Sequence, residues 1–320
     1  MTPISRRDFV VAASAAAVCA VARPAFAADP VRIGYIGDFN GASLAAIATD
    51  QNLWAGQNLQ PDLKVFTNGP IQVQAFGSGS LDFGYVGPGA LWLPASGRAK
   101  VIAVNNLGQA DRVIAQAGFH TLADLKGKKV GVPEGTSGDM LLRLALQKQG
   151  MAPTDVELIR MDPSTVVAAF ASRQIDAAGI WYPLVGVIKQ RIPDLVELAK
   201  NADFFPEIAF PTAFVCRNDV ADDLSRRVIA VLKQANDFRA AKLDASIALT
   251  AKFIGVPADQ LAAEAANSRF LTTRELEASA ADGTTAGWLT TLNAMFKSFG
   301  RLPEPLDPKV YFRADLYAKG

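Results

Sequence analysis

The chain has 320 residues, of which 50% are hydrophobic and 20% are charged, with 32 basic against 31 acidic side chains. This apolar content excludes a disordered chain, and the length permits two domains with a large buried core. A formal net charge of +1 gives no electrostatic argument for nucleic acid or for an anionic membrane surface as a partner.

The N-terminus carries the pattern of an export signal. Arg6 and Arg7 precede an Ala-rich apolar stretch from Phe9 to Ala22, and Ala25-Phe26-Ala27 follows as a small-residue cleavage site. A twin arginine in this setting is typical of the twin-arginine (Tat) pathway, so we expect residues 1–27 to be a signal peptide that is removed in the periplasm. The alternative is an uncleaved anchor, but about 14 apolar residues are too few to span a hydrocarbon core of ~30 Å. We therefore expect no stable membrane span in the mature protein.

An internal duplication follows the signal. Residues 73–84 align with residues 167–178 at a constant offset of 94. The first unit predicts strands at 31–36, 63–67 and 81–86 and helices at 43–54 and 70–78; the second predicts strands at 129–132, 156–160 and 175–181 and helices at 139–149 and 164–172. Strands that alternate with helices indicate parallel sheets. The sequence therefore predicts an α/β protein with two similar lobes, each a mainly parallel sheet flanked by helices.

Asp82 and Asp176 occupy equivalent places in the two units, which favours a structural role at a helix-to-strand turn. From Val220 onward the apolar spacing is helical. A third domain is one interpretation; we favour a return of the chain to the first lobe, because such helices need a surface against which to bury their apolar stripe.

Enzymatic chemistry has little support in the sequence. Without residues 1–27 the chain keeps one cysteine, Cys216, and one histidine, His120. That leaves no internal disulfide and no thiolate cluster for a metal, and no serine elbow or phosphate-binding Walker loop occurs. We expect a protein that is not an enzyme and carries no cofactor or metal.

Five loops are candidates for ligand binding, because ligands of open parallel sheets bind beyond the carboxyl ends of the strands. They are 37–43, 68–70, 87–90, 134–139 and 181–183, and none contains Lys or Arg. The site residues predicted from them are Asp38, Phe39, Asn40, Asn68, Gly69, Gly87, Pro88, Thr136, Ser137, Asp139 and Trp181.

Four of the five loops have a purely structural alternative. The segment 135–138 offers backbone N–H groups and hydroxyls to an anion at a helix start, or forms a capping box of Thr136 with Asp139. The segment 87–90 is a similar bare helix start or an ordinary turn. The segment 38–40 offers a carboxylate, an aromatic face and an amide to an amine, or Asp38 or Asn40 caps the next helix. Trp181 closes over a small ligand or belongs to the core.

Four segments, 78–88, 122–133, 134–137 and 175–183, resemble the periplasmic substrate-binding proteins of ABC importers for nitrate, aliphatic sulfonates and taurine. The resemblance implies a type II, two-lobed binding protein whose chain crosses between lobes near 108–113 and 208–216 and closes by hinge motion. Lobe 1 would comprise 28–110 and 213–320, and lobe 2 would comprise 111–212. The implied partners are a small-molecule ligand, an ABC permease and its ATPase subunit, and the implied state is a monomer.

The resemblance also implies a site in which Gly87, Thr136 and Ser137 hold a sulfonate, Asn68 stands where relatives often have Ser, and Trp181 forms an aromatic wall. Asp38, with Asp139 or Asp203, would then meet the amine of a taurine-like ligand. The acidic segment 37–41 departs from relatives that are usually neutral there, which leaves room for an amine or another cationic or zwitterionic ligand.

Two further alternatives are a sensory adaptor and an enzyme that resembles the pyrimidine synthases of thiamine biosynthesis. The enzyme would need iron-binding cysteines, which this sequence lacks. The sequence does not separate an adaptor from a transport protein.

Overall fold

A computed structural model of the protein describes residues 28–319, and the predicted signal peptide lies outside them. Within the described range no helix is both long enough and apolar enough to cross a membrane. The fold has two α/β lobes with one sheet each, as the sequence predicts.

The strands of the described chain are β1 (Asp29–Ile36), β2 (Leu59–Phe66), β3 (Phe83–Val86), β4 (Lys100–Gly108), β5 (Asp111–Ala115), β6 (Lys129–Val132), β7 (Glu157–Arg160), β8 (Ala177–Trp181), β9 (Val196–Lys200), β10 (Pro211–Cys216) and β11 (Ser268–Arg269). Its α-helices are α1 (Phe39–Asp50), α2 (Leu53–Gly56), α3 (Gly69–Gly77), α4 (Trp92–Ala95), α5 (Ser137–Lys148), α6 (Pro163–Ala171), α7 (Leu184–Arg191), α8 (Asp222–Ala241), α9 (Leu243–Ile254), α10 (Ala258–Ala266), α11 (Thr273–Ala281), α12 (Thr284–Ser298), α13 (Pro308–Tyr311) and α14 (Ala314–Lys319). Short 3₁₀ turns lie at Pro88–Ala90, Leu122–Leu125, Pro153–Asp155 and Asn201–Phe204.

The two sheets share one topology. The first has the order β2-β1-β3-β10-β4-β11 and the second the order β7-β6-β8-β5-β9. In each, a parallel group of three strands (β2-β1-β3 or β7-β6-β8) is followed by a strand that runs antiparallel to it. The matching order is the structural counterpart of the repeat in the sequence. Both sheets are mixed, because antiparallel pairs join β3, β10, β4 and β11 in the first and β8, β5 and β9 in the second.

Asp82 and Asp176 have the structural role that their repetition suggests. The Asp82 carboxylate accepts the backbone N–H of Arg32 at 3.0 Å, and the Asp176 carboxylate accepts the backbone N–H of Lys129 at 2.9 Å. Each aspartate thereby ties the end of a helix-to-strand turn to the first strand of its own repeat.

The chain passes from the first sheet to the second between Gly108 and Asp111 and returns between Lys200 and Pro211. Its last third then packs on the first lobe, where Val228 and Leu232 of α8 are buried in the same core cluster as Ile33. The crossings bring loops of both lobes and the helices after β10 to one cleft.

Candidate functional site

A cavity of about 40 Å³ lies between the lobes, at the carboxyl ends of the parallel strands. Most of the predicted site residues line it, namely Asp38, Asn40, Asn68, Gly69, Gly87, Pro88, Thr136, Ser137 and Trp181. The other lining residues are Ile36, Tyr85, Ala90, Gly108, Ala110, Asp111, Thr212 and Glu264. No Lys or Arg is among these lining residues, whereas three of them carry carboxyl groups.

Two of the three carboxyl groups meet at the start of α1. Asp38 is the N-cap of this helix and accepts the N–H of Gly41 at 2.6 Å, which begins the helix four residues before the predicted 43. Glu264, from α10, accepts the N–H groups of Phe39 and Asn40 at 2.6 and 3.0 Å. The first N–H groups of a helix are an anion-binding site. In this protein the chain's own Glu264 occupies that position.

Asp111, the third carboxyl group, stands at the first crossing between the lobes. Its carboxylate accepts the Asn201 amide at 3.0 Å and also interacts with the hydroxyl of Ser137, the first residue of α5. The adjacent Arg112 directs its guanidinium away to Glu197 at 2.9 Å and to the carbonyl of Asp111 itself. A carboxyl group of the chain therefore also stands beside the start of the second helix that faces the cleft.

Burial raises the pKa of all three carboxyl groups, and repulsion from acidic neighbours adds to the shift for Asp38 and Glu264. Burial raises the pKa of Asp38 to about 7, against a hydrogen bond from Gly41 and one from the Trp181 indole. Burial raises the pKa of Asp111 to about 6. The pKa of Glu264 lies well above its usual range because of burial and the nearby Asp38 charge, which outweigh its two backbone hydrogen bonds. At neutral pH Asp38 is therefore partly protonated, whereas Asp111, whose pKa is lowered by its hydrogen bonds and by the Arg112 charge, is mostly ionised.

Polar contacts from the first lobe fix Asn40 at the base of the cavity. Its side-chain oxygen accepts from the Asn106 amide at 2.9 Å and the Ser268 hydroxyl at 3.0 Å, while its carbonyl accepts from the Asn105 amide at 2.8 Å. Because its oxygens are already occupied by these donors, Asn40 presents a preformed surface to the cavity.

The lobes are closed against each other around the cavity. Gly89 lies so near the second lobe that a Cβ atom on it would come within 2.2 Å of the Thr136 carbonyl oxygen. The Trp92 indole donates to the Gly135 carbonyl at 3.3 Å. Arg301, after α12, reaches Glu134 at 3.2 Å and Asp139 at 2.9 Å. These contacts join residues of the first lobe to the loop before α5.

Two predicted site residues lie away from the cavity wall. The Phe39 ring is fully buried and packs edge-on against Phe270, with 5.6 Å between ring centroids. The Asp139 carboxylate forms ion pairs with Arg143 at 2.7 Å and with Arg301.

The capping box considered for Thr136 does not form. Asp139 accepts the N–H of Gly135, and the Thr136 hydroxyl donates to the Pro133 carbonyl at 2.6 Å. Thr136 still lines the cavity, so its position at the start of α5 does not depend on the capping box.

Sequence reasoning missed Tyr85, Asp111, Thr212 and Glu264. Of these four, Asp111 is the one that the sequence could most easily have indicated, because it is the first acidic residue in the predicted crossing at 108–113. Glu264 has no such signal: it comes from a helix 226 residues after Asp38, and only the packing of α10 against α1 brings the two together. Within residues 28–319 no group of His, Cys, Asp and Glu side chains is arranged to hold a metal ion.

Comparisons with known proteins identify the family. The family model described as NMT1/THI5 like matches residues 43–242. A protein of Brucella abortus (strain 2308) that is named as a binding protein is 58% identical over 291 residues, which cover 90% of this chain and 91% of its own length. The taurine-binding periplasmic protein of Escherichia coli (strain K12) is 26% identical over 226 residues, 69% of each chain.

Solved structures share the fold. The periplasmic aliphatic sulphonate binding protein of Escherichia coli matches with a TM-score of 0.71 at 22% identity, covering 90% of this chain and 99% of that one. The family resemblance stated from the sequence is thereby confirmed. The chain belongs to the NMT1/THI5-like family, and its two lobes have the fold of the periplasmic binding proteins.

Proposed function

We propose that this protein is the solute-binding component of an ABC importer and that it captures a small organic cation, an ammonium or amidinium compound, between its lobes. The observation that carries the proposal is the lining of the cavity, where three buried carboxyl groups face one space and no Lys or Arg does. A buried charge needs a partner, and the partner that complements Asp38, Asp111 and Glu264 is positive.

The occupied helix starts support a cation over a simple anion. A sulfonate or nitrate held by dipoles would use the N–H groups at the start of α1, but Glu264 already accepts two of them. At the start of α5 an anion would lie beside Asp111, which interacts with Ser137. Two like charges about 4 Å apart repel by about 4 kcal/mol at an effective dielectric of about 20.

The raised pKa values of the buried carboxyl groups fit a cation-binding site. Without ligand, protons neutralise part of the cluster, since the pKa of Asp38 is about 7 and that of Asp111 about 6. A bound ammonium favours the ionised carboxylates, so the protons leave as the cation enters. A ligand with only an anionic group would push these pKa values higher still.

We assign the site to the lining residues Asp38, Asn40, Asn68, Gly69, Gly87, Pro88, Thr136, Ser137 and Trp181, with Tyr85, Asp111 and Glu264 added. Asp38, Asp111 and Glu264 pair with the cation, and the Trp181 ring covers it by a cation–π contact. Closure swings the lobes about the two crossings, at 109–110 and 201–210.

The remaining parts of the proposal concern the cell. The export pattern at residues 1–27 supports a periplasmic protein that crosses the inner membrane by the twin-arginine route. It would deliver its ligand, as a monomer and without turnover, to an ABC permease with an ATPase subunit. Growth on the ligand after deletion of the permease tests this against a sensory adaptor, since transport predicts that growth is lost.

Taurine is the second candidate ligand, favoured by the relative that bears its name and by its own amine. It would place its ammonium on the carboxyl groups and its sulfonate near Thr136 and Ser137, which line the same cavity.

A thermal-shift panel tests the ligand class on the purified protein. It contains methylamine, guanidine, taurine, ethanesulfonate and nitrate. A ligand at about 1,000 times its dissociation constant adds about 4 kcal/mol to stability, which raises the melting temperature by several degrees. We expect methylamine or guanidine to stabilise the protein, and Asp111→Asn to reduce the shift while the exposed Asp50→Asn leaves it unchanged. Stabilisation by ethanesulfonate or nitrate, with none by an amine, would overturn the proposal.

A further inference from the structure

A second space adjoins the cavity at the outer end of the cleft. It has a volume of about 280 Å³, seven times that of the inner cavity, and Ile36, Asp38 and Trp181 border both spaces. The outer space lies between the loops after β1 and β2 in one lobe and the starts of α6 and α7 in the other.

The outer space is mainly apolar. Its walls include Val65, Phe66, Pro163, Pro183 and Leu184. Asp38, which it shares with the inner cavity, is the one ionisable residue in this lining. Val65 is 63% exposed, one of the few large apolar side chains among residues 28–319 that face solvent to this degree. A mainly apolar space that adjoins a ligand cavity suits an apolar part of the ligand.

We propose that this outer space, defined by Val65, Phe66, Pro163, Pro183 and Leu184, is a subsite for the apolar substituent of the ligand, which makes the ligand class an alkyl- or arylalkylamine. This inference rests on the proposed function, because Asp38 must first hold the ammonium. With its head on Asp38, the ligand directs its substituent along Trp181 and out of the inner cavity.

The sizes of the two spaces support the same conclusion. The inner cavity of about 40 Å³ is much smaller than the space on the order of 150 Å³ that a benzene-sized group needs. The outer space of about 280 Å³ meets that need. In this lining an alkyl chain contacts five apolar residues, and Asp38 is the one ionisable group. A second ammonium or a carboxylate on the tail would therefore gain no charged partner there.

The test is a calorimetric titration of the purified protein with n-alkylamines from methylamine to hexylamine. Each buried methylene should tighten binding about fourfold, so butylamine, with three more methylenes, should bind roughly 60-fold more tightly than methylamine. The analogue 4-aminobutan-1-ol, with a hydroxyl at the tail end, should lose most of the gain. Val65→Ser and Leu184→Ser should flatten the dependence on chain length while leaving methylamine affinity within about twofold.

Val310→Ser is the matched control, since Val310 is 61% exposed but lies outside both spaces. It should keep the full chain-length dependence. Equal affinities for methylamine and butylamine would overturn the subsite and leave the cation site intact. A chain-length dependence that both Val65→Ser and Leu184→Ser preserve would also overturn it. Failure of every amine to bind would instead refute the proposed function on which the subsite rests.

Discussion

Replacing Asp38 with Asn should make the ligand-free protein more stable at high pH. The carboxyl group of Asp38 is buried, and its pKa rises from an ordinary 3.8 to about 7 on folding. An acid whose pKa is raised in the folded state stabilises the fold below its unfolded pKa and loses that contribution as the pH climbs through the folded value. At about 1.4 kcal/mol for each pH unit, the whole loss is about 4 kcal/mol, of which roughly 3 kcal/mol falls between pH 5 and pH 8.

Asn is the suitable replacement because it retains the N-cap of α1. Its side-chain oxygen accepts the Gly41 N–H as the carboxylate does, and Asn is as good an N-cap as Asp. The Asp38 charge also raises the pKa of Glu264, so the substitution should remove part of the pH dependence of that group as well.

The assay is urea unfolding at pH 5 and pH 8, followed for the wild type, Asp38→Asn and the control Asp50→Asn, an exposed carboxylate at the other end of the same helix. The free energy of unfolding of the wild type and of Asp50→Asn should fall between the two pH values by about 3 kcal/mol more than that of Asp38→Asn. Equal pH dependence in all three proteins would refute the reasoning that Asp38 is a buried, protonated acid.

Three further results are expected. Methylamine affinity should rise at least tenfold from pH 5.5 to pH 8 and then level off, because Asp111 and Asp38 must lose protons as pKa values of about 6 and 7 are passed; calorimetry that finds no pH dependence contradicts this. Glu264→Gln should weaken methylamine binding about tenfold or more, measured against Glu275→Gln, a capping glutamate of α11 outside the cavity; equal affinities would remove Glu264 from the site. Gly89→Ala should weaken binding of every ligand, because the added Cβ prevents closure on the Thr136 backbone. Small-angle scattering should then show a more open protein. The control Gly77→Ala, whose Cβ meets nothing within 4 Å, should close normally.

Much of the fold follows from the duplication in the sequence. The strand predicted at 129–132 is β6 with the same limits, and the helix predicted at 164–172 is α6 within one residue. Strands outside the repeat, such as β4 and β10, were not predicted individually, because a search for internal similarity finds only what is duplicated. The early start of α1 depends on the Asp38 cap, which the sequence offered only as an alternative.

The residues of the candidate site likewise fall into those that the sequence predicts and those that it does not. Residues in loops that follow parallel strands, such as Asn68 and Thr136, line the cavity because the topology places those loops at one edge of each sheet. Asp111 and Glu264 reach the cavity from an antiparallel strand and from a late helix, so no spacing in the sequence links them to Asp38. Because Asp111 and Glu264 line the same cavity as Asp38, we expect a cation rather than a sulfonate as the ligand. This inference depends on the structure and could not be made from the sequence.

The most direct test of a cation site is a calorimetric titration with three matched compounds at pH 7.5. Ethylamine carries only the ammonium group, ethanesulfonate only the sulfonate, and taurine carries both on the same two-carbon frame. Because Asp38, Asp111 and Glu264 face one cavity that no Lys or Arg lines, ethylamine should bind with release of protons and ethanesulfonate should give no heat of binding. Binding of ethanesulfonate with none of ethylamine would contradict the assignment of this site to a cation.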